Sequence, residues 1–458
     1  MKIVTCLLLC TLAIFPAAAE DQPISRIAFG SCASQDRPLP IFDRMVELKP
    51  EIYLALGDNI YADTTDMAVM KSKYDKLADT DQWKKLKATC PILATWDDHD
   101  LGRDDAGEDY PKREESQELF LDFFGVAKDD PVRKQRGIYT AKIVGPENQR
   151  VQFIMLDCRY FRSNLEKGPR LPGSRVEPYI PNTAPEATML GEEQWKWLEE
   201  QLQKPAELRI ISSSIQVISE EHPYEKWANI PKERQRLYNL IVKTKARGVV
   251  LLSGDRHLAD ISMRDDLIGY PLYDLTSSGL NQGSKVWRAP EPNKFRVGGM
   301  PHGDNFGLIE IDWKSRLISM QLRDVDGEIA VKDKIKIDLL VPPGTIVKAD
   351  PLPHTPGEGA ISPRDARSSV GQEVVVEMKV QSAGQSATRM FLNSEKDFRD
   401  KLNFAVVLGK EAFTGTYEKA TTATFQDQII RVTGKVSTFR GEAQIVITDA
   451  KQLEILKK

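Results

Sequence analysis

The sequence predicts an α/β protein with a smaller all-β unit at its carboxyl end. Short apolar runs alternate with helix-like stretches between about residues 24 and 260, a Pro-, Gly- and Ser-rich stretch occupies 341–370, and five short strand-like runs fill 371–458. At 458 residues the chain exceeds the roughly 250–300 residues that one core serves, so a large and a small domain are expected. A hydrophobic content of 41% and a charged content of 28% are ordinary for a globular chain with a large core.

MKIVTCLLLCTLAIFPAAAE opens with one Lys, an apolar run of about twelve residues and an Ala17-Ala18-Ala19 exit, the pattern of a cleaved secretory signal over 1–19. The run is short for a membrane span, and no later stretch reaches that length. Export and a secreted or periplasmic location are therefore expected. Removing Lys2 moves the formal charge from -4 to -5, which gives no basic footprint for nucleic acid or an anionic membrane. Cleavage leaves Cys32, Cys90 and Cys158, an odd number, so at least one thiol is unpaired. Whether Cys90 pairs with Cys158 is left open.

The first domain, 20–340, contains the runs RIAFGSC, PEIYLALGDNIY, PILATWDDHD, VQFIMLDCR, LRIISSSIQV and GVVLLSGDRH. Each is short and largely non-alternating, as in strands buried on both faces. Helices are expected over 39–49, 66–88, 112–124, 190–203 and 232–246. In LGEEQWKWLEEQLQK, Trp195, Leu198 and Leu202 share one helical face and read as core. FGLIEIDW, RLISMQLRD and KIKIDLL, within 306–338, alternate and read as closing antiparallel strands.

Polar groups recur at the carboxyl ends of these runs: Ser31 and Cys32, Asp58 to Tyr61, Asp97 to Asp100, Asp157 and Arg159, Ser213 to Gln216, Asp255 and His257. Carboxyl strand ends open into the ligand crevice of an α/β sheet, so six pieces of chain converge on one rim. Burying several acids without partners costs several kcal/mol each, so cations are expected among them. Carboxylates suit hard ions such as Ca²⁺, Mg²⁺ or Mn²⁺, whereas thiolate and imidazole favour transition ions, so a mixed site, with Fe³⁺ beside harder divalent ions, is expected.

FGSC (29–32), GDNIY (57–61), WDDHD (96–100), LDCRYFR (156–162), LGEEQWKWLEEQL (190–202) and SGDRH (253–257), in this order, resemble the PhoD-like branch of the metallophosphoesterases over roughly residues 24–340. The resemblance implies a metallophosphoesterase-type sandwich of two mixed β-sheets flanked by helices, with an iron and calcium phosphoesterase site at the rim. It implies that Cys32 and Tyr61 bind iron and that Asp58 bridges to a neighbouring ion. Asp98 would be a metal ligand, His99 the catalytic histidine, and Asp255 with His257 the last metal-binding motif. A metal-bound hydroxide would then hydrolyse phosphate mono- or diesters, with His99 stabilising the transition state or assisting the leaving oxygen.

Structural alternatives stand beside these roles. Asp58 could cap a turn, Cys32 could be a buried thiol or half-disulfide, and Tyr61 a packing aromatic. Asp98 and His99 are read as facing inward, Asp97 or Asp100 as capping, and Trp96 as a packing wall. Arg159 is the candidate phosphate clamp, because guanidinium matches phosphate with paired donors, with a salt bridge to Asp157 as the alternative. His302 sits in a Gly-rich loop that could line the pocket; His222 and His354 read as surface residues.

Residues 371–458 suggest a small β-barrel, and QIIRVTGKVSTFRGEAQIVITD resembles the later strands of an OB-fold. A helix is expected near 411–422. Thirteen Lys plus Arg against 11 Asp plus Glu there give a net of only +2, weak for a strand-binding groove. Two other readings remain: a secreted phosphodiesterase or nuclease that holds polyanionic substrate on the barrel, and a non-catalytic surface-binding protein. Oligomeric state is open.

Overall fold

The structure is a computed structural model describing residues 22–170, 176–284, 289–343, 354 and, with short breaks, 356–456. The expected signal segment at 1–19 and the middle of the expected linker lie outside the described residues. The chain divides into two compact units, Met1–Ile346 and Val347–Lys458. Among the described residues no helix is long and apolar enough to cross a membrane.

In the first unit the strands are β1 (Arg26–Gly30), β2 (Ile52–Leu56), β3 (Ile92–Thr95), β4 (Thr140–Val144), β5 (Val151–Met155), β6 (Glu166–Lys167), β7 (Tyr179–Ile180), β8 (Leu208–Ser212), β9 (Val249–Ser253), β10 (Ala259–Arg264), β11 (Leu272–Ser277), β12 (Asn305–Asp312), β13 (Leu317–Asp324) and β14 (Ile329–Lys336). Two six-stranded mixed sheets result, in the orders β14-β13-β12-β1-β2-β3 and β10-β11-β9-β8-β5-β4. β1, β2 and β3 run parallel, as do β5, β8, β9 and β11. The sequence runs identify β1, β2, β3, β5, β8 and β9 and the β12–β14 meander; β4, β6, β7, β10 and β11 are additional.

Side-chain alternation divides the first sheet between two cores. Ile27 and Phe29 of β1 and Ile52, Leu54 and Leu56 of β2 pack with strands of the second sheet. Ala28, Tyr53 and Ala55 point the other way, into a layer of helices. Those helices are α1 (Pro40–Glu47), α2 (Met67–Asp79), α3 (Asp81–Thr89), α4 (Asp98–Leu101) and α5 (Arg113–Phe123); α6 (Gly191–Leu202) and α7 (Pro231–Lys243) serve the second sheet. On α6, Trp195, Leu198 and Leu202 are buried in the core, as their spacing predicts.

The expected helix over 66–88 is broken at Thr80, which is extended (φ -67°, ψ 138°). Its Oγ1 donates to the Leu77 carbonyl and accepts from the Trp83 amide, ending α2 and capping α3.

In the second unit the strands are β15 (Glu373–Lys379), β16 (Ser382–Gln385), β17 (Met390–Asn393), β18 (Ala405–Leu408), β19 (Ile429–Phe439), β20 (Glu442–Ile447) and β21 (Leu453–Leu456). They form one sheet ordered β15-β19-β20-β18-β17-β16, with β21 on β19. Among the described residues no pairing joins β15 to β16, so the expected small barrel is not closed. Long β19 shares its first half with β15 and β21 and its second half with β20. Of the helix expected near 411–422, residues 411 and 413–416 lie outside the described residues and 418–421 are turn and loop; the short helices of this unit are α8 (Pro363–Ala366) and α9 (Thr422–Phe425).

Phe29 pairs with Gly307 across β1 and β12, and a Cβ at 307 would fall 2.0 Å from the phenyl ring. Gly307→Ala is expected to cost about 1–3 kcal/mol, measured as a lower thermal midpoint of the purified protein.

Candidate metal centre and active site

The residues following β1, β2, β3, β5 and β9 meet at the carboxyl ends of both sheets. An isolated parallel bridge between Ser31 and Ser278 ties the end of β1 to the segment after β11, joining the sheets here. The turns are strained: Cys32, Asp58, Asp255 and His257 have φ of 64°, 49°, 67° and 52°. Each left-handed non-glycine residue costs on the order of 1–3 kcal/mol, and such residues concentrate at functional sites. Gly57, at φ 102°, has no alternative, because a Cβ there would lie 2.6 Å from that of Asp97.

Three groups of potential ligand atoms form on this rim, the atoms of each lying within 4.8 Å of one another: Cys32, Asp58 and His257; Asp58, Asp98 and His99; and Asp97, Asp98 and Asp255. Asp58 belongs to the first two and Asp98 to the last two. Tyr61 joins the first group, its hydroxyl 3.3 Å from Asp58 Oδ2 and 3.0 Å from His257 Nε2. Cys32 Sγ lies 3.4 Å from Asp58 Oδ2 and 3.2 Å from Ser278 Oγ. The sequence motif SGDRH pairs Asp255 with His257, but the fold separates them: His257 joins the thiol group and Asp255 the all-carboxylate group.

This donor set fits cations. Asp58 Oδ1, Asp97 Oδ2 and Asp98 Oδ1 are buried without a hydrogen-bond partner among the described residues, a costly condition for a carboxylate. Burial, then the charges of Cys32 and Asp98, push Asp58 well up; burial, then Asp97 and Asp98 against Arg256, does the same to Asp255. Burial raises the Cys32 thiol to about 11 against the hydroxyls of Ser278 and Ser31. Asp98 is held low, burial being outweighed by Arg159, His99 and the Asp105 amide. Without cations the site retains protons. Cys32, Cys90 and Cys158 are all free and buried, so Cys90 and Cys158 are not bridged.

Arg159 is fully buried. Its Nε donates to Asp97 Oδ1 at 2.5 Å and its Nη1 to Glu225 Oε2 at 2.6 Å, and Nη2 lies 3.7 Å from Asp98 Oδ1. Its ion pairs are thus with Asp97, Asp98 and Glu225; Asp157 only accepts its backbone amide, at 2.9 Å. Asp157 also accepts from Trp96 Nε1, the Ile138 amide and the Tyr160 amide, so Trp96 is a packing wall with a polar anchor. Asp100 accepts from the amides of Asp97, Asn59 and Ile60 and clamps the GDNIY turn to WDDHD.

His99 Nδ1 lies 2.7 Å from Asp63 Oδ1, and its ring sits 4.2 Å from that of Tyr61. Burial disfavours its charge, but Asp63, Asp58 and Asp98 outweigh this and raise it to about 11. It borders a cleft of about 450 Å³ that also reaches Asp58, Asp255 and His257. Lys167, Arg170 and Arg256 supply positive charge to this cleft, and Arg256 stacks 3.8 Å over Tyr224. His302 is half-buried and is not among the described residues bordering it. His222 is buried, not superficial, and His354 is hydrogen-bonded to Glu377.

The motifs thus bring together Cys32, Asp58, Tyr61, Asp98, His99, Asp255 and His257. Sequence reasoning missed Asp97 as a donor, Asp63 behind His99, Glu225 beneath Arg159, and the cleft cations. Asp63 lies five residues after Asp58 in GDNIYAD, an acid next to a recognised motif; Glu225 in a loop carries no local signal.

Burial raises Asp100 to about 7 despite three amide donors, and raises Asp105 to about 7 with help from Glu225. Both exceed the unfolded value of about 3.9, so the native state binds more protons between about pH 4 and 7, and stability falls as pH rises through that window. The metal-free protein is expected to have a higher thermal midpoint at pH 6 than at pH 8, and cation addition at pH 8 is expected to raise the midpoint most.

Residues 27–267, more than half of the chain, match the PhoD-like phosphatase family. Alkaline phosphatase D of Bacillus subtilis (strain 168) is 22% identical over 280 residues, an overlap covering 53% of this chain and 47% of that protein; the chain thus spans about half the length of this curated relative. The solved structure of PhoD shares the fold, with a TM-score of 0.57 at 18% identity over 71% of this chain and 72% of that one. The extent of the family match, spanning every motif of the rim, identifies the chain as a member of the PhoD-like phosphatase family.

Proposed function

We propose that this chain is a secreted, cation-dependent phosphoesterase that hydrolyses phosphate mono- and/or diesters at the β-strand rim. The observation that carries the reading is the chaining of three donor groups through Asp58 and Asp98 beside His99. Cys32, Asp58, Tyr61 and His257 combine thiol, phenol, imidazole and carboxylate, a set suited to Fe³⁺. Asp97, Asp98 and Asp255 offer only oxygen, which suits Ca²⁺, with Mn²⁺ or Mg²⁺ as other candidates. Bound cations would ionise water near neutral pH and offset charge on phosphoryl oxygens.

The chain's own residues do the rest. Arg256, Lys167 and Arg170 draw the phosphate into the cleft. Asp63 holds His99 through Nδ1 and favours its protonated form, so that Nε2, 3.7 Å from Asp104 Oδ1, can donate to a phosphoryl oxygen or to the departing alkoxide as the P–O bond breaks. Arg159 holds Asp97 from behind and touches no open space. Its role in this reading is positional: it balances Asp97, Asp98 and Glu225 without neutralising them.

Chelation is expected to abolish hydrolysis of nitrophenyl phosphate and of bis(nitrophenyl) phosphate, and re-addition of cations to restore it; comparing the two substrates decides between mono- and diester preference. His99→Ala is expected to lower kcat about 10²–10⁴-fold; unchanged kcat would remove His99 from the reaction. Elemental analysis identifies the ions. Iron-loaded protein should carry a visible charge-transfer band that shifts in Cys32→Ser or Tyr61→Phe, and a colourless iron-loaded protein would rule both out as iron ligands.

A further inference from the structure

Residues 222–226, His-Pro-Tyr-Glu-Lys, form a wall between two cavities. Tyr224 and Glu225 border the cleft of the candidate centre, whereas His222, Pro223 and Lys226 line a second cavity of about 620 Å³. Glu225 is the acid of this wall, and it is 1% exposed. Both its oxygens face guanidinium nitrogens: Oε2 accepts from Arg159 Nη1 at 2.6 Å, and Oε1 lies 3.0 Å from Arg162 Nε. Arg159 and Arg162 are themselves buried.

Arg159 is shared. Its Nε donates to Asp97 Oδ1, whereas its Nη2 stands 3.7 Å from Asp98 Oδ1, beyond hydrogen-bond reach. Asp97 Oδ2, Asp98 Oδ1 and Arg159 Nη2 accordingly have no hydrogen-bond partner among the described residues. Two guanidiniums thus face three carboxylates, those of Asp97, Asp98 and Glu225, which leaves one negative charge in excess beside the all-carboxylate group. Burial is the largest influence raising Asp97 and Asp255, and the charge of Glu225 acts in the same direction at both. Its field therefore reaches this group and favours positive charge there, proton or cation. With Glu225 neutral the count becomes two against two, and Arg159 has only the aspartates to pair with.

We propose that Glu225 is a positioning residue of the all-carboxylate group: it holds Arg159 back from Asp98, supplies the excess charge, and so sets the affinity of Asp97, Asp98 and Asp255 for a hard divalent cation. The proposal rests on the cation-dependent reading of the rim. Glu225 acts through Arg159, since both its own oxygens are occupied by guanidiniums. The effect is selective, because the thiol group of Cys32, Asp58 and His257 shares no residue with the all-carboxylate group.

The test titrates Ca²⁺ into the full, iron-loaded chain by calorimetry, a readout independent of turnover. Glu225→Gln keeps the length and the acceptor but not the charge, and is expected to weaken Ca²⁺ binding about tenfold with the iron band unshifted. Glu225→Asp keeps the charge but loses reach, and is expected to bind Ca²⁺ more tightly than Glu225→Gln. A purely structural role predicts the opposite order, because Gln is the closer match in shape. Unchanged affinity in Glu225→Gln, weaker binding in Glu225→Asp than in Glu225→Gln, or an iron band that moves together with the Ca²⁺ affinity each overturns the proposal. If Glu225→Gln does not fold, Arg162→Gln approaches the same ion pair from its positive side: tighter Ca²⁺ binding is expected, and unchanged or weaker binding overturns the proposal. An unmodified protein that binds neither Ca²⁺, Mn²⁺ nor Mg²⁺ overturns it together with the cation reading. Cation binding without hydrolysis of either nitrophenyl ester removes the phosphoesterase reading alone, and the Glu225 comparison still decides.

Discussion

Negative charge held out of water is the constraint around which the rim is organised. Asp58, Asp97, Asp98 and Asp100 are all nearly or fully buried within a few residues' reach of one another. Such a cluster persists only if each carboxylate is given donors, a counter-charge, a proton or a cation. The four receive different treatment. Asp100 is saturated by amides and works as a clamp between two turns. Asp97 is compensated on one oxygen by Arg159. Asp58 and Asp98 each keep an oxygen with no hydrogen-bond partner among the described residues, and these two residues are the ones shared between the donor groups.

The scaffold that enforces this is mostly hydrogen-bonded loop, not core. Asp157 gathers Trp96, Ile138, Arg159 and Tyr160 on its two oxygens, fixing the turn after β5 against the turn after β3. Glu225 receives Arg159 and Arg162 from a distant loop and so completes the support of Asp97. Left-handed backbone at Cys32, Asp58, Asp255 and His257 stores strain that the two flanking sheets, tied through Ser31 and Ser278, hold in place. Rigidity at the rim is thus supplied from both sheets at once.

Electrostatics also separates the two cavities along residues 222–226. One side presents acids and cation-binding atoms with Lys167, Arg170 and Arg256 for an anionic group; the other has proline and alanine walls, with Arg234 paired to Glu220 and His222 buried behind them.

The sequence by itself determined the α/β class, the carboxyl-end rim, the helices at 190–203 and 232–246, and the identity of most ligand candidates, because strand patterning and motif chemistry are local. The break at Thr80 was also local in origin, since a Thr-Asp pair can cap a new helix, but a continuous apolar pattern hid it. Tertiary structure alone decided how the candidates are divided. Whether Asp97 faces Arg159 or a ligand, whether Asp255 and His257 serve one group or two, and whether Arg159 reaches the cleft depend on side-chain directions set by left-handed turns and by partners far apart in sequence. Asp63, Glu225 and His222 became visible only once loops separated by tens of residues were packed together, because burial and the absence of a hydrogen-bond partner are properties of neighbours in space, and no local pattern encodes them.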